Sequence, residues 1–260
     1  MRARVDMRNI YACFKWVIDE ADIRIEGKSA DFTRARWKIG DYDLNAIEAA
    51  NQVKESLPGS EAIGLTVGDA DAKASLKDAL SRGLDAVWHI NTGESKIEDH
   101  RTSSQALAAV LKQNANAALV ICAEGSQDLF GRQTAPRIAA ALNWPVVTSV
   151  AELSIQGSVL EATRKLEGCI EKVNVELPAV VSVLPSINAP EYPKLKAIME
   201  AKKKPIFEVE ISELELKDAQ GLHSQDEGYV MNRKNIVIKE GSTEEKVAQL
   251  VESLKKDGVL

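Results

Sequence analysis

Three times between residues 62 and 142 a short apolar run gives way to a polar turn and then to a helical stretch, and this alternation leaves few folds open. Ala62-Ile-Gly-Leu-Thr-Val67 passes through Gly68-Asp69 into a helix over about 72–82, which Gly83 caps. Ala86-Val-Trp-His-Ile90 precedes a helix rich in alanine and leucine over 103–112. Ala117-Ala-Leu-Val-Ile-Cys122 precedes a glycine-bearing loop and a helix that starts near Thr134, with Pro136 in its first turn, where proline is tolerated. Strands that read as continuous apolar runs are covered on both faces, and strands alternating with helices build βαβ units. The expected fold is therefore α/β: a Rossmann-like, mostly parallel sheet with helices on both faces.

The flanks fit this frame. Asn9-Ile-Tyr-Ala-Cys-Phe14 reads as the first strand, followed by an alternating piece at 22–26. Leu44, Ile47, Ala50 and Val53 share one face of a helix over 43–53, with Asp43 as the expected N-cap and Pro58-Gly59 as the stop. After residue 146 the period changes. Short strands over 146–150, 159–164, 171–176 and 179–184, with little helix between them, predict hairpins and a return into the sheet edge. Pro190-Glu-Tyr-Pro193 breaks the chain, a short helix follows over 194–203, residues 206–242 carry no clear period, and 244–256 reads as a final helix. These last parts form an extended C-terminal arm.

The chain has 260 residues, enough for one sizeable α/β domain plus an appendage. A net charge of −6 excludes a general nucleic-acid binder, and 5% aromatic residues exclude a stacking platform for single strands. Cys13, Cys122 and Cys169 form no metal-ligand spacing with the three histidines and read as reduced core thiols, so no metal site is expected. No apolar run approaches the roughly 20 residues of a membrane span, and no signal segment follows Met1. A cytoplasmic location is the expectation.

Ligands of open α/β sheets sit at the carboxyl ends of the strands. Three segments end there: Cys13–Lys15, Val67–Asp69 and 123–134. A helix following such a loop offers unpaired N–H groups and the positive end of its dipole, which makes Gly131-Arg-Gln-Thr134 a natural phosphate cradle. The same spacing also suits an ordinary βα turn, because neither GxGxxG nor GxxxxGK[ST] is present. His89 lies inside an apolar strand and reads as a core residue, while His100 and His223 lie in charged, loop-like stretches and read as exposed. No nucleophile, base and orienting group form a set, which points away from a stand-alone hydrolase or transferase.

Several stretches belong together: Ala12-Cys-Phe-Lys15, Tyr42-Asp-Leu-Asn-Ala-Ile-Glu-Ala-Ala50, Thr66-Val-Gly-Asp69, Ala79-Leu-Ser-Arg-Gly-Leu-Asp85, the loop through Leu142-Asn-Trp-Pro145, Leu177-Pro-Ala-Val-Val-Ser-Val183, and the segment from Asn188 to Lys204. Taken in this order, they resemble the beta subunit of electron transfer flavoprotein over nearly the whole chain. The last of these is the most specific. Tyr42-Asp-Leu-Asn45 and Ser126-Gln-Asp-Leu129 are similar to the anaerobic, carnitine-pathway type.

The resemblance implies a heterodimer with an alpha subunit. The pair carries electrons between acyl-CoA dehydrogenases or reductases and a redox partner, as a carrier rather than a stand-alone enzyme. FAD lies mainly in the alpha subunit. The beta subunit holds AMP or, in electron-bifurcating members that use NADH, a second FAD. By the same resemblance Gly131, Arg132, Gln133 and Thr134 form the phosphate loop. Cys13, Phe14 and Lys15 lie on the adenine side, Val67, Gly68 and Asp69 form the opposite wall, and Asp41 lies near the ribose. Leu195 is the recognition-loop leucine that docks into the partner dehydrogenase, with Tyr192, Ile198 and Met199 around it, and Arg164 marks an inter-subunit contact. The domains then divide into a nucleotide-binding unit over 1–190 and a recognition loop with partner-binding arm over 191–260. Two departures stand out. Asp128 and Gln133 of the bifurcating pattern are kept, but Leu129, Phe130, Gly131 and Arg132 stand between them, and Lys165 follows Arg164 where an acidic residue is common. A nucleotide-sensing module of the universal-stress-protein kind, without redox role or partner subunit, is the alternative, and it has no need of the C-terminal arm.

Overall fold

The computed structural model describes residues 9–93, 99–216 and 234–260. In chain order the strands are β1 (Asn9–Cys13), β2 (Trp16–Ile18), β3 (Arg24–Glu26), β4 (Ser29–Asp31), β5 (Trp37–Ile39), β6 (Glu61–Gly68), β7 (Ala86–Asn91), β8 (Ala117–Ala123), β9 (Val146–Gln156), β10 (Val159–Leu166), β11 (Cys169–Glu176), β12 (Ala179–Val183) and β13 (Ile206–Glu210). The helices are α1 (Asp41–Ser56), α2 (Lys73–Ser81), α3 (His100–Gln113), α4 (Thr134–Leu142), α5 (Leu195–Ala201) and α6 (Thr243–Lys256).

Nine strands form one sheet in the order β11-β10-β9-β12-β8-β1-β6-β7-β13. From β9 to β13 every neighbouring pair is parallel, and β10 and β11 extend the sheet as antiparallel strands. The central parallel strands are dry on both faces: every residue of β8 and of β12 is buried. On one face Ile10, Leu119, Ile121 and Val181 pack with Ala46, Ile47, Ala50 and Val53 of α1 and with Leu76 and Leu80 of α2. On the other, Tyr11, Leu65, Val120 and Val180 pack with Leu107, Val110 and Leu111 of α3 and with Ile138 of α4. The three-layer arrangement expected from the apolar runs is thus present.

Several expectations change. Asp43 does not cap α1: the N-cap is Gly40, and Asp43 lies inside the first turn with its carboxylate turned to the Lys15 N–H. The strand after the hairpins does not return to the edge. β12 inserts between β8 and β9, where its five buried residues find cover on both faces. Residues 206–210, read as aperiodic, form the edge strand β13 on β7, in register from Ile206 with Val87 to Glu210 with Asn91. Cys169 is exposed at the start of β11, whereas Cys13 and Cys122 are buried. Gly83 does follow α2, at φ +108°, a backbone that glycine adopts without strain. By compactness the chain divides into one unit of 1–24 and 31–225 and another of 25–30 and 226–260. In the second unit α6 begins with a capping box, Ser242 and Glu245 each satisfying the other's N–H. Among the described residues no helix is long and apolar enough to cross a membrane.

Candidate functional site

The chain runs from β1 to one side of the sheet through α1 and β6, and returns to the other side through α3 and β8. The strand order therefore reverses between β1 and β8, and a crevice must open beyond their carboxyl ends. A pocket lies there. Cys13, Phe14 and Lys15 form one wall as β1 ends, and Asp43 reaches in from α1. Val67 contributes from β6, and Asp99, His100, Ser103 and Leu107 come from the start of α3. Cys122, Ala123, Gly125, Ser126, Leu129 and Thr134 come from β8, the loop after it and the start of α4. Apolar surface from Phe14, Val67, Leu107 and Leu129 faces a smaller polar set, the composition of a small-molecule site.

The loop from β8 to α4 is held from within. Glu124, 8% exposed, is its hub. It accepts hydrogen bonds from the Ser149 N–H at 2.9 Å, from the Ser149 hydroxyl at 3.2 Å and from the Ser182 hydroxyl at 2.6 Å. Arg132 donates to it from Nε at 3.0 Å and from its terminal nitrogen at 2.6 Å. Burial alone raises the Glu124 pKa, but these hydrogen bonds and the Arg132 charge outweigh it and hold the carboxyl below its ordinary value. Arg132 is thus committed to Glu124 rather than turned into the cradle as an added charge. Gly125 lies against the Phe130 ring, where a Cβ would fall within 2.9 Å. At Gly131 the structure leaves no room for a side chain. A Cβ there would fall 1.9 Å from His100 Nε2, so the imidazole occupies the space that a side chain would need.

Phe130 and Arg132 both adopt positive φ, 44° and 56°, flanking Gly131. At its end the loop delivers Gln133 as the N-cap of α4 without a side-chain cap bond. The Gln133 side-chain oxygen Oε1 is engaged elsewhere, accepting from Arg137 Nε at 2.8 Å. The first N–H groups of α4 therefore point out of the helix with no internal acceptor and with the positive end of the dipole behind them. An alternation of left- and right-handed residues just before a helix is also the backbone form of an anion nest. This surface fits a phosphate.

Charged groups ring the pocket. Lys15 pairs with Asp128, whose carboxyl is held below its ordinary value by Lys15 against the cost of its own burial. Asp43, 6% exposed, is pushed by burial up to about 7, with the Lys15 N–H and charge opposing and Asp128 adding to the rise. His100 is drawn down by burial and by the Lys15 and Arg137 charges. Cys122 lies against Cys13 on the neighbouring strand, and this contact and burial both push its thiol up.

The structure brings five of the sequence-predicted residues into the pocket wall: Cys13, Phe14, Lys15, Val67 and Thr134. Asp128 stands at the rim through Lys15. Gly131, Arg132 and Gln133 shape the loop and the start of α4 from outside that wall. Gly68 and Asp69 are not part of that wall and are engaged within the chain: the Gly68 carbonyl lies 3.1 Å from His89 Nε2 and accepts from the Thr92 N–H, and the Asp69 carboxylate accepts from the Asp71 N–H at 3.0 Å. Asp41 ties the loop to α1, its N–H donating to Gln127 Oε1 at 3.0 Å and its carboxylate accepting from Lys38 and Gln127. His89 is fully buried in β7, as a core histidine.

His100 was expected to be exposed, yet it is part of the pocket wall, since residues 99–100 start α3 at the same sheet edge. His223 lies outside the described residues. Sequence reasoning missed Glu124 altogether. A carboxylate directly after an all-apolar strand was the available signal, because an acid there must find donors. Among the partner-binding candidates, Tyr192 is 89% and Leu195 74% exposed, with Ile198 and Met199 also exposed. Arg164 donates to the Thr148 carbonyl at 2.8 Å and to Glu171 at 2.8 Å within its own sheet.

A model of the electron transfer flavoprotein domain matches residues 31–214.

Proposed function

The chain belongs to the electron transfer flavoprotein family, and on that premise we propose that it is a beta subunit of the anaerobic, carnitine-pathway-like type. With an alpha subunit it moves electrons between acyl-CoA dehydrogenase- or reductase-type flavoenzymes and a redox partner. Its own pocket holds AMP or a second FAD, and the redox FAD sits mainly with the alpha subunit. The observation that carries the reading is the side-chain-uncapped N-terminus of α4 facing a crevice at the switch point of the sheet. The first turn of α4, beginning at Thr134, would take the phosphate. Lys15 would add positive charge on the β1 side. Phe14, Val67, Leu107 and Leu129 would exclude water from a planar ring. A bound FAD would supply one- or two-electron chemistry, whereas AMP would be structural.

The exposed group of Tyr192, Leu195, Ile198 and Met199 supports a docking role for the segment from 190 to 201. Apolar anchors within a charged surround, here Lys194, Lys196 and Glu200, are how small transient interfaces gain their energy. We also propose that residues from 191 onward, including α6, serve partner binding. β13 belongs to the main sheet, so the test of the arm removes 234–260 and leaves β13 in place. Loss of alpha-subunit association supports the arm, and tight binding by the shortened chain sinks it.

The nucleotide reading is tested by co-expressing the chain with its alpha subunit, denaturing the purified complex and counting released nucleotides. One FAD and one AMP per heterodimer means a simple carrier. Two FAD and no AMP means a redox-active beta site, and NADH-driven bifurcation becomes the mechanism to test. One FAD and nothing else refutes the reading of this pocket.

A further inference from the structure

Tyr192, Leu195, Ile198 and Met199 stand on a stretch of chain with almost no core of its own. From 189 to 200 no residue is buried. α5 has seven residues, and its N-cap, Lys194, makes no side-chain cap bond. Isolated helices shorter than about 12–15 residues are marginal in water, so α5 does not stand by itself. The Lys196–Glu200 pair on its surface, at 3.7 Å and exposed on both sides, adds little. What holds the stretch must lie at its ends.

At the first end Asn188 meets the buried Asn45 of α1. Asn45 Nδ2 donates to the Pro185 carbonyl at 3.2 Å and to the Asn188 carbonyl and Oδ1, each at 3.0 Å. Asn188 Nδ2 returns a bond to the Asn45 carbonyl at 3.0 Å. At the other end Ala201 is buried in the cluster that holds Leu76, Leu80 and Leu84. Lys202 and Lys203 are exposed, but Lys204 turns inward. Its ammonium donates to the Leu80 carbonyl at 3.1 Å and to the Leu84 carbonyl at 2.6 Å. Leu80 lies in the last turn of α2, where carbonyls lack helical donors and a cation suits the dipole. β13 then begins at Ile206.

We propose that Lys204 and the Asn45–Asn188 pair are positioning residues for docking: they clamp the two ends of 189–203 onto α2 and α1, so that a flavoenzyme partner meets Leu195 and its neighbours already arranged. This inference rests on the docking reading above and deepens it. Holding the stretch in one arrangement before contact removes the ordering cost that a loose loop meets on binding. Loss of a clamp leaves every contact residue in the chain but lowers the fraction of molecules that present them. Apparent affinity falls by that fraction, while turnover of the docked pair does not.

The experiment compares wild type with Lys204→Met, which keeps an apolar stem and removes the ammonium, and with Asn188→Ala, which leaves Asn45 two backbone acceptors. The full-length protein is used with its alpha subunit. Amide hydrogen exchange over 189–204 should quicken about tenfold in each variant, with α1 and β8 unchanged, since the bonds lost are local and one donor is charged. Electron transfer is then measured from an acyl-CoA dehydrogenase reduced by butyryl-CoA, the probe partner, with a redox dye as terminal acceptor. The KM for the heterodimer should rise about tenfold while kcat stays within about twofold. In a Leu195→Ala background the same substitutions should change KM by under about twofold, because the anchor they position is gone. Unchanged exchange over 189–204, a rise spread over the whole chain, an unchanged KM, or an equal KM penalty in both backgrounds overturns the proposal and leaves the docking reading standing. No transfer from this probe in the wild type, or no effect of Leu195→Ala itself, removes the docking reading, and this inference falls with it.

Discussion

Replacing Glu124 with alanine should be the most damaging single change near the pocket. Glu124 joins three separate pieces of chain at the end of β8: Arg132 of the loop, Ser149 of β9 and Ser182 of β12. Two of the residues it holds, Arg132 and Ser149, are in left-handed backbone conformations, at φ 56° and 58°, which cost of order 1 kcal/mol each for non-glycine residues. Truncation leaves the buried Ser149 N–H with only the long 3.4 Å approach to the Ser182 hydroxyl. That orphaned donor costs ~1–2 kcal/mol, and the lost bond from Ser182 adds ~1 kcal/mol. Arg132 is half exposed and turns to water, so its ion pair contributes under ~1 kcal/mol. The removed methylene adds ~1 kcal/mol. The total is roughly 3–4 kcal/mol, or about 10 °C in Tm for a chain of this size.

The pH dependence carries a sign. The Glu124 carboxyl is held below its ordinary value, so its contribution is complete above the unfolded carboxylate range and is lost as pH falls through the folded pKa. Thermal unfolding of wild type and Glu124→Ala between pH 7 and pH 3 should show the gap closing on the acid side. Glu124→Gln should show about half the gap at pH 7, because the amide keeps one acceptor and places an N–H against a serine donor. A Glu124→Ala protein that melts within about 2 °C of wild type at pH 7, or a gap that does not depend on pH, refutes the hub.

The other expectations concern the surface and the thiols. Leu195→Ala should leave the melting temperature within about 1 °C, since surface substitutions usually shift stability by under ~0.5 kcal/mol and Leu195 is largely exposed. On the proposed role it should lower the rate of electron transfer to a flavoenzyme partner at sub-saturating partner, and an unchanged rate removes the anchor role. In the native protein a small disulfide reagent should label Cys169 at once and Cys13 and Cys122 only after unfolding; fast labelling of all three contradicts their burial. Lys15→Met should weaken AMP binding while changing stability by under ~1 kcal/mol, because the Lys15–Asp128 pair is about a third exposed on each side. Equal affinity in the two proteins places the phosphate away from Lys15.

How far the sequence reveals this molecule follows from the range of the forces involved. The sheet strands were legible because burial on both faces writes itself as an unbroken apolar run, as in 117–123, where all seven residues are buried. β13 was not, because an edge strand needs cover on one side only. Ile-Phe-Glu-Val-Glu at 206–210 mixes charge with apolar residues and pairs through its backbone with β7, which sequence period does not report. The position of the pocket was legible through topology, since strand–helix alternation fixes which ends of the strands gather. The roles of its side chains were less so. Asp43 and Asp41 are both acids at the start of α1, and helix capping predicts the same residue type for either. What separates them is a distance to Lys15 and to Gln127, across 28 and 86 residues of chain. Gly131 has a steric reason that its sequence surroundings do not show, because the His100 ring that fills the place of a side chain comes from α3, more than thirty residues earlier. Glu124 completes the pattern: a residue whose partners lie at 132, 149 and 182 is invisible to any local period. Its buried charge still forces those partners to exist, and that requirement can be looked for in a sequence wherever an acid ends an all-apolar strand.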